Sequence, residues 1–255
     1  MKARTELLLY RLGWLAGKAL RPTWRNLDSS FESWAYGSGW LRQIQRLEAQ
    51  ALIETKTDAQ SGERMIRLTE KGLLVCRPKF DPVERWTREW DGKWRMVIFD
   101  VPESDRSLRA KMRRRLMLEG FGCLQKSVWI SPSPFGTMID ELKGAIVEGS
   151  ALTLWEASPA AGELPQDMVS EAWKFEEIGK RWQALSEHLD LAKSPEKLGK
   201  NLWDWMAKER QLTRECLESD PILPESLLPP GYLGRTVWKK RTEILAHIAR
   251  VEITG

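Results

Sequence analysis

Two neighbouring stretches of this chain carry side chains suited to reading or holding a polyanion. In WLRQIQRLEAQALI, Trp40 to Ile53, the apolar residues Leu41, Ile44, Leu47 and Ala51 recur at helical spacing. The predicted helix leaves Arg42, Gln43, Arg46 and Gln50 on its solvated side. Arg42, Gln43, Gln45 and Arg46 are the candidates for base-edge contact, because Arg matches the acceptors of guanine and Gln the donor and acceptor of adenine in the major groove. Two β-prone runs follow, Leu52 to Thr57 and Arg64 to Thr69, joined by a polar stretch with Ser61-Gly62. Lys56, Arg64 and Arg67 on or beside this hairpin are the candidates for phosphate contact, which asks only for a cation in the right place. A merely solvated charged face has the same composition; the adjoining hairpin and the local charge favour the nucleic-acid reading.

Other chemistries find little support in the residue types. His188 and His247 stand near no Cys, Ser or acidic residue at catalytic spacing. Neither GxGxxG nor GxxxxGK[ST] occurs. Cys76, Cys123 and Cys216 are far apart and form no CxxC pair, which argues against a disulfide framework and a thiolate zinc site and points to a reducing cytoplasm. No catalytic residue, metal site or cofactor is expected, and the chain does not read as an enzyme. Trp is in excess, at 14 residues, mostly at apolar periodic positions; aromatic-rich cores are the expected use, a pocket for a flat ligand the alternative.

The elements that must position these residues divide by charge. Residues 1–80 hold 14 basic and 8 acidic side chains, residues 81–157 hold 12 of each, and residues 158–255 hold 14 basic and 16 acidic. The positive excess therefore belongs to the N-terminal third, as a footprint on a polyanion would require. There, apolar stripes predict helices over Thr5–Gly17, Thr23–Trp34 and from Trp40, followed by the hairpin and the run LTEKG at Leu68 to Gly72. Three helices and a hairpin give the order of a winged helix-turn-helix, whose third helix enters the major groove of double-stranded DNA. In residues 81–157, Trp94 to Val101 reads as a strand buried on both faces with Arg95 its one internal charge. A helix over Ser104–Gly120, a bent strand or hairpin over Phe121–Ser131, a helix over Phe135–Glu148 and a strand over Leu152–Glu156 complete the ferredoxin-like order. The arginine-rich face of that first helix, Arg106 to Arg115, fits a solvated or dimer-facing surface, a second nucleic-acid contact, or a phosphate clamp. In residues 158–255, one helix through Met168 to Leu189, a second capped by Ser194-Pro195 and holding Leu198 to Cys216, and a third over Arg235–Ile253 form a bundle suited to dimerisation. The fold class is thus α+β and multidomain, with a winged helix, a ferredoxin-like domain and a helical C-terminal domain. The longest run free of Asp, Glu, Lys and Arg, Ser127 to Ile139, contains Pro132 and Pro134, so no membrane span is expected.

Three separated motifs carry a resemblance: WDGKWRMVIFDVPE at Trp90 to Glu103, GFGCLQKSVWISP at Gly120 to Pro132, and SDPILPESLLPPGYLG at Ser219 to Gly234. Together they resemble the phenylacetic-acid catabolon repressor (PaaX-like) family along essentially the whole chain. The resemblance implies a cytoplasmic, homodimeric transcriptional regulator, usually a repressor of a catabolic operon, released from its operator by an acyl-CoA effector such as phenylacetyl-CoA. The effector-binding residues stay unassigned, with Trp173, Trp182, Trp203 and Trp205 equally eligible. Leu41 stands where family members often carry Arg, and Tyr232 where Trp is usual. The family's central domain is related to small nucleases that hold a metal-binding aspartate where Asp100 stands, which makes a metal-dependent nuclease the alternative, with Glu103 and Asp105 close by.

Overall fold

The computed structural model describes residues 5–6, 8–9, 12, 25–27, 40–57, 59–60, 64–76, 81–136, 140, 144, 151–160, 162, 164–192 and 202–254. The chain forms two compact units, one made of residues 1–80, 191–208 and 241–255, the other of residues 81–190 and 209–240. Helices and two antiparallel sheets are both present, so the fold is α+β.

In the first unit, β1 (Arg25–Leu27), α1 (Leu41–Ala49), β2 (Ile53–Thr57), β3 (Arg64–Leu68) and α2 (Glu70–Cys76) follow in order. The three strands form a sheet in the order β1-β3-β2, with β2 and β3 paired from Ile53 opposite Leu68 to Thr57 opposite Arg64. Here the expected helix over Thr23–Trp34 is corrected: Arg25–Leu27 is extended and pairs with Arg64–Ile66. An apolar stripe at helical spacing cannot register an open strand edge elsewhere in the chain, and that edge takes these backbone groups. The rest of that stretch, and most of Thr5–Gly17, lie outside the described residues. Leu8, Leu9, Trp40, Ile44, Leu47, Leu52, Ile53, Ile66 and Leu68 make the core of this unit.

Each residue of the run LTEKG has a part in joining the hairpin to α2. Leu68 enters the core. The Thr69 hydroxyl accepts from the Gly72 amide at 3.0 Å, capping α2, and donates to the Ala51 carbonyl at 2.7 Å. Glu70 places an acid in the first turn of α2. Lys71 donates to the Gln50 carbonyl at 2.9 Å. Gly72 lies so close to β2 that a Cβ there would sit 2.0 Å from the Leu52 carbonyl oxygen.

The second unit begins with α3 (Pro82–Thr87), capped by Asp81, whose carboxylate accepts from the Val83 amide. Then come β4 (Trp94–Asp100), a 3-10 turn (Glu103–Asp105), α4 (Arg106–Leu118), β5 (Gly122–Gln125), β6 (Val128–Ser131) and β7 (Ala151–Ala157). The strands form one antiparallel sheet in the order β5-β6-β4-β7, so β4 lies inside it, as its near-continuous burial requires. Of the helix expected over Phe135–Glu148, Asp140 and Gly144 are helical and the remainder lies mostly outside the described residues.

The helix expected through Met168 to Leu189 is two helices, α5 (Pro165–Ala172) and α6 (Phe175–Asp190). Trp173 between them is extended at φ −127°, ψ 138°, and its indole lies on Gly122 of β5, where a Cβ would come within 2.5 Å of the ring. The tertiary seat of one large side chain therefore breaks a periodicity that runs through the sequence unbroken. Finally, α7 (Leu202–Ser219) and α8 (Gly234–Thr254) match the expected helices apart from residues 194–201, which lie outside the described residues.

Candidate nucleic-acid interface

The first unit presents α1 and the β2–β3 hairpin as consecutive elements. A tight turn joins them: the Leu52 amide donates to the Leu47 carbonyl and the Ala51 amide to the Glu48 carbonyl, with Ala51 at φ 54°. Thr55 of β2 hydrogen-bonds the Glu48 carboxylate of α1, which ties strand to helix.

Arg42, Gln45 and Arg46 are exposed, and their spacings of three and four place them on one face of α1. Gln43 is corrected. It is 8% exposed, on the core side with Ile44 and Leu47, and its Oε1 is buried without a hydrogen-bond partner. The reason is geometric: Gln43 lies one turn before Leu47, so the helix that buries Leu47 buries Gln43 with it. Ala51, expected on the apolar face, is exposed in the turn, and Leu41 is half-buried against the core.

On the hairpin, Lys56 is exposed on β2. Arg67 faces Glu54 across the ladder and donates to its Oε2 through Nε at 2.8 Å and Nη2 at 2.6 Å. Its charge is thus neutralised within the hairpin, which makes Arg67 a poorer phosphate contact than its sequence position suggests. Arg64 takes the first position of β3, opposite Thr57 on one side and Leu27 on the other.

The second unit contains two polar networks that sequence periodicity did not reveal. Arg95 of β4 is 6% exposed, and it donates through Nη1 and Nη2 to the two carboxylate oxygens of Asp91 at 2.8 and 2.6 Å and through Nε to Glu156 at 3.2 Å. This guanidinium holds the Asp91 carboxyl down at about 2. The motif at Ser219 to Gly234 is built around buried Asp220. Its Oδ2 accepts from Trp182 Nε1 and from the Tyr232 hydroxyl, both at 2.6 Å, and its Oδ1 accepts from the Ile222 amide at 2.8 Å. Trp86 Nε1 in turn donates to the Tyr232 oxygen at 3.1 Å. Burial pushes the Asp220 carboxyl up, while the three donors oppose that rise. Trp182 is thereby accounted for as a packed, hydrogen-bonded core residue.

Asp100 ends β4 exposed and opposite Ala151. Among the described residues no group of three or more His, Cys, Asp or Glu side chains is arranged to hold a metal ion, so the nuclease alternative gains no support from Asp100 and its neighbours. No helix among the described residues is long and apolar enough to cross a membrane.

Comparison with known proteins agrees with the motifs. The family model described as PaaX protein central Cas2-like domain matches residues 87–169, which include two of the three motifs. The transcriptional repressor PaaX of Escherichia coli (strain K12) is 26% identical over 239 residues, covering 88% of this chain and 73% of that protein. Among solved structures, uncharacterized protein Rv0674 from Mycobacterium tuberculosis superposes with a TM-score of 0.58 at 18% identity, over 84% of this chain and 82% of that one, a likeness of fold alone. Residues 87–169 thus match the central domain of PaaX proteins, and the likeness to a PaaX repressor extends over most of the chain.

Proposed function

We propose that this chain is a DNA-binding transcriptional repressor whose first 80 residues are a winged helix-turn-helix and whose residues 81–157 are a ferredoxin-like domain. The likeness over most of the chain to a transcriptional repressor carries the reading. Supporting it, α1 presents Arg42, Gln45 and Arg46 on one exposed face, with the β2–β3 hairpin following directly. The sheet order β5-β6-β4-β7, with α4 crossing between β4 and β5, agrees with the ferredoxin-like arrangement. In this reading α1 is the recognition helix, Arg42, Gln45 and Arg46 meet base edges, and Lys56 and Arg64 meet phosphates. The repressor acts in the cytoplasm as a homodimer on two half-sites, and an acyl-CoA thioester such as phenylacetyl-CoA releases it.

The double substitution Arg42→Ala/Arg46→Ala tests the reading. Each lost base contact should cost about 1–3 kcal/mol on the specific operator, with smaller loss on random duplex. Equal loss on both would show that α1 supplies charge without reading sequence.

A further inference from the structure

Within the second unit, α4 and the C-terminal helices enclose an open cavity of about 720 Å³ whose wall carries five arginines, Arg106, Arg109, Arg113, Arg114 and Arg181. Residues 106, 109, 113 and 117 share one face of α4, so a single helix aims most of this charge at the cavity. The carboxylate in the wall is Glu218, whose side chain is 63% exposed and stands 3.9 Å from Arg214.

The arginines differ in how they are held. Arg109 donates through Nη2 to the Val101 carbonyl at 2.6 Å, and Arg113 through Nη2 to the Lys126 carbonyl at 3.1 Å, which fixes both side chains. Arg113 Nε is buried with no partner. Arg106, Arg114 and Arg181 make no hydrogen bond or ion pair among the described residues, whereas Arg115, which does not line the cavity, is paired with Glu119 at 3.0 Å. A helix that neutralises an arginine outside the cavity and leaves Arg106 and Arg114 on its wall without a pair among the described residues has guanidinium forks available for an anion.

The same wall is apolar as well. Met117 and Leu118 are 63% and 60% exposed beside the arginines. Met117, Arg181, Glu218 and Ser219 also line a second chamber of about 260 Å³, so the two spaces adjoin. Trp129 and Trp173 line that chamber, and both indole nitrogens are buried without an acceptor. A duplex backbone would meet the arginines but has no use for a tryptophan-lined recess behind them.

We propose that this bipartite cavity binds a small organic anion, its phosphate groups held by Arg106, Arg113, Arg114 and Arg181 and its flat apolar arm lying past Met117 into the chamber of Trp129 and Trp173. Together the two spaces have the size of small-molecule sites. The site stands on the cavity alone and its test contains no DNA, so its failure would leave the repressor reading untouched.

Calorimetric titration of the full chain with 1-naphthyl phosphate, inorganic phosphate and 1-naphthol tests it. 1-Naphthyl phosphate should saturate at one molecule per chain and bind at least tenfold more tightly than either fragment. The double substitution Arg114→Gln/Arg181→Gln, at exposed positions without a hydrogen bond or ion pair among the described residues, should weaken it at least tenfold while leaving the circular dichroism and melting curve unchanged. Bound probe should also slow alkylation of Cys123, an exposed thiol in the chamber wall, followed by mass spectrometry. Absence of saturable binding, equal affinity for inorganic phosphate, unchanged affinity in the double variant, or Cys123 alkylation indifferent to the probe would each overturn the proposal. Displacement of the probe by random duplex DNA through the same two arginines would assign the groove to a nucleic-acid backbone instead.

Discussion

Arg95 was visible in the sequence as one charge inside an apolar run, but its purpose was not, because Asp91 and Glu156 reach it from a turn and from a neighbouring strand. The Asp91 carboxyl is held at about 2 by hydrogen bonds from Arg95. A carboxyl so depressed stabilises the fold fully above its unfolded value of about 4 and loses that contribution as pH falls through about 2. Wild type should therefore exceed Asp91→Asn in thermal stability by a constant margin above pH ~4, with the margin shrinking between pH ~4 and ~2; a margin independent of pH over that window would contradict the assignment. Asp220 makes the opposite case, since its motif was legible while its partners were not. Asp220→Ala strands the Trp182 N–H and the Tyr232 hydroxyl, at roughly 1–3 kcal/mol per buried group. We expect a loss of about 3 kcal/mol in denaturant unfolding, and a loss under ~1 kcal/mol would mean that water replaces the carboxylate without penalty. Gln43 shows the limit of reading a helix by residue type: a polar residue one turn from Leu47 shares its burial whatever its chemistry.

Elements whose signal is local emerged from the sequence with nearly correct bounds. The β2–β3 hairpin, α1, β4, α4 and α8 each combine a clear period with a turn or cap at the end. Elements defined by a distant partner did not. Arg25–Leu27 is a strand because β3 offers it an edge, and α5 and α6 separate because Trp173 has a seat on Gly122. The short helices α2 and α3 were missed because each is brief and depends on a cap, Thr69 or Asp81, more than on a stripe. Gly72 joins these local and distant effects, since its place in α2 is set by the Leu52 carbonyl just before β2. Gly72→Ala forces backbone against Cβ and should cost about 3 kcal/mol in equilibrium unfolding, at the upper end of overpacking effects. A change near zero would mean that α2 moves off the sheet without consequence.

At the scale of the whole molecule, charge counted by segment separated a basic N-terminal third from near-neutral remaining thirds, and the exposed Arg and Gln of α1 lie within that basic third. The second unit was legible in its strand order and motifs but not in its cavity, because Arg181 and Glu218 come to α4 from helices far away in sequence. The central claim is sequence-specific recognition of duplex DNA through the first unit. DNase I footprinting of the full chain on the DNA upstream of its own gene, over a salt series and against random competitor duplex, tests it most directly. The account predicts a discrete protected site that survives competitor, contains two half-sites spaced by about 10 base pairs or a multiple, and weakens as salt rises. Protection that spreads evenly along the fragment and vanishes with random competitor at every salt concentration would contradict it.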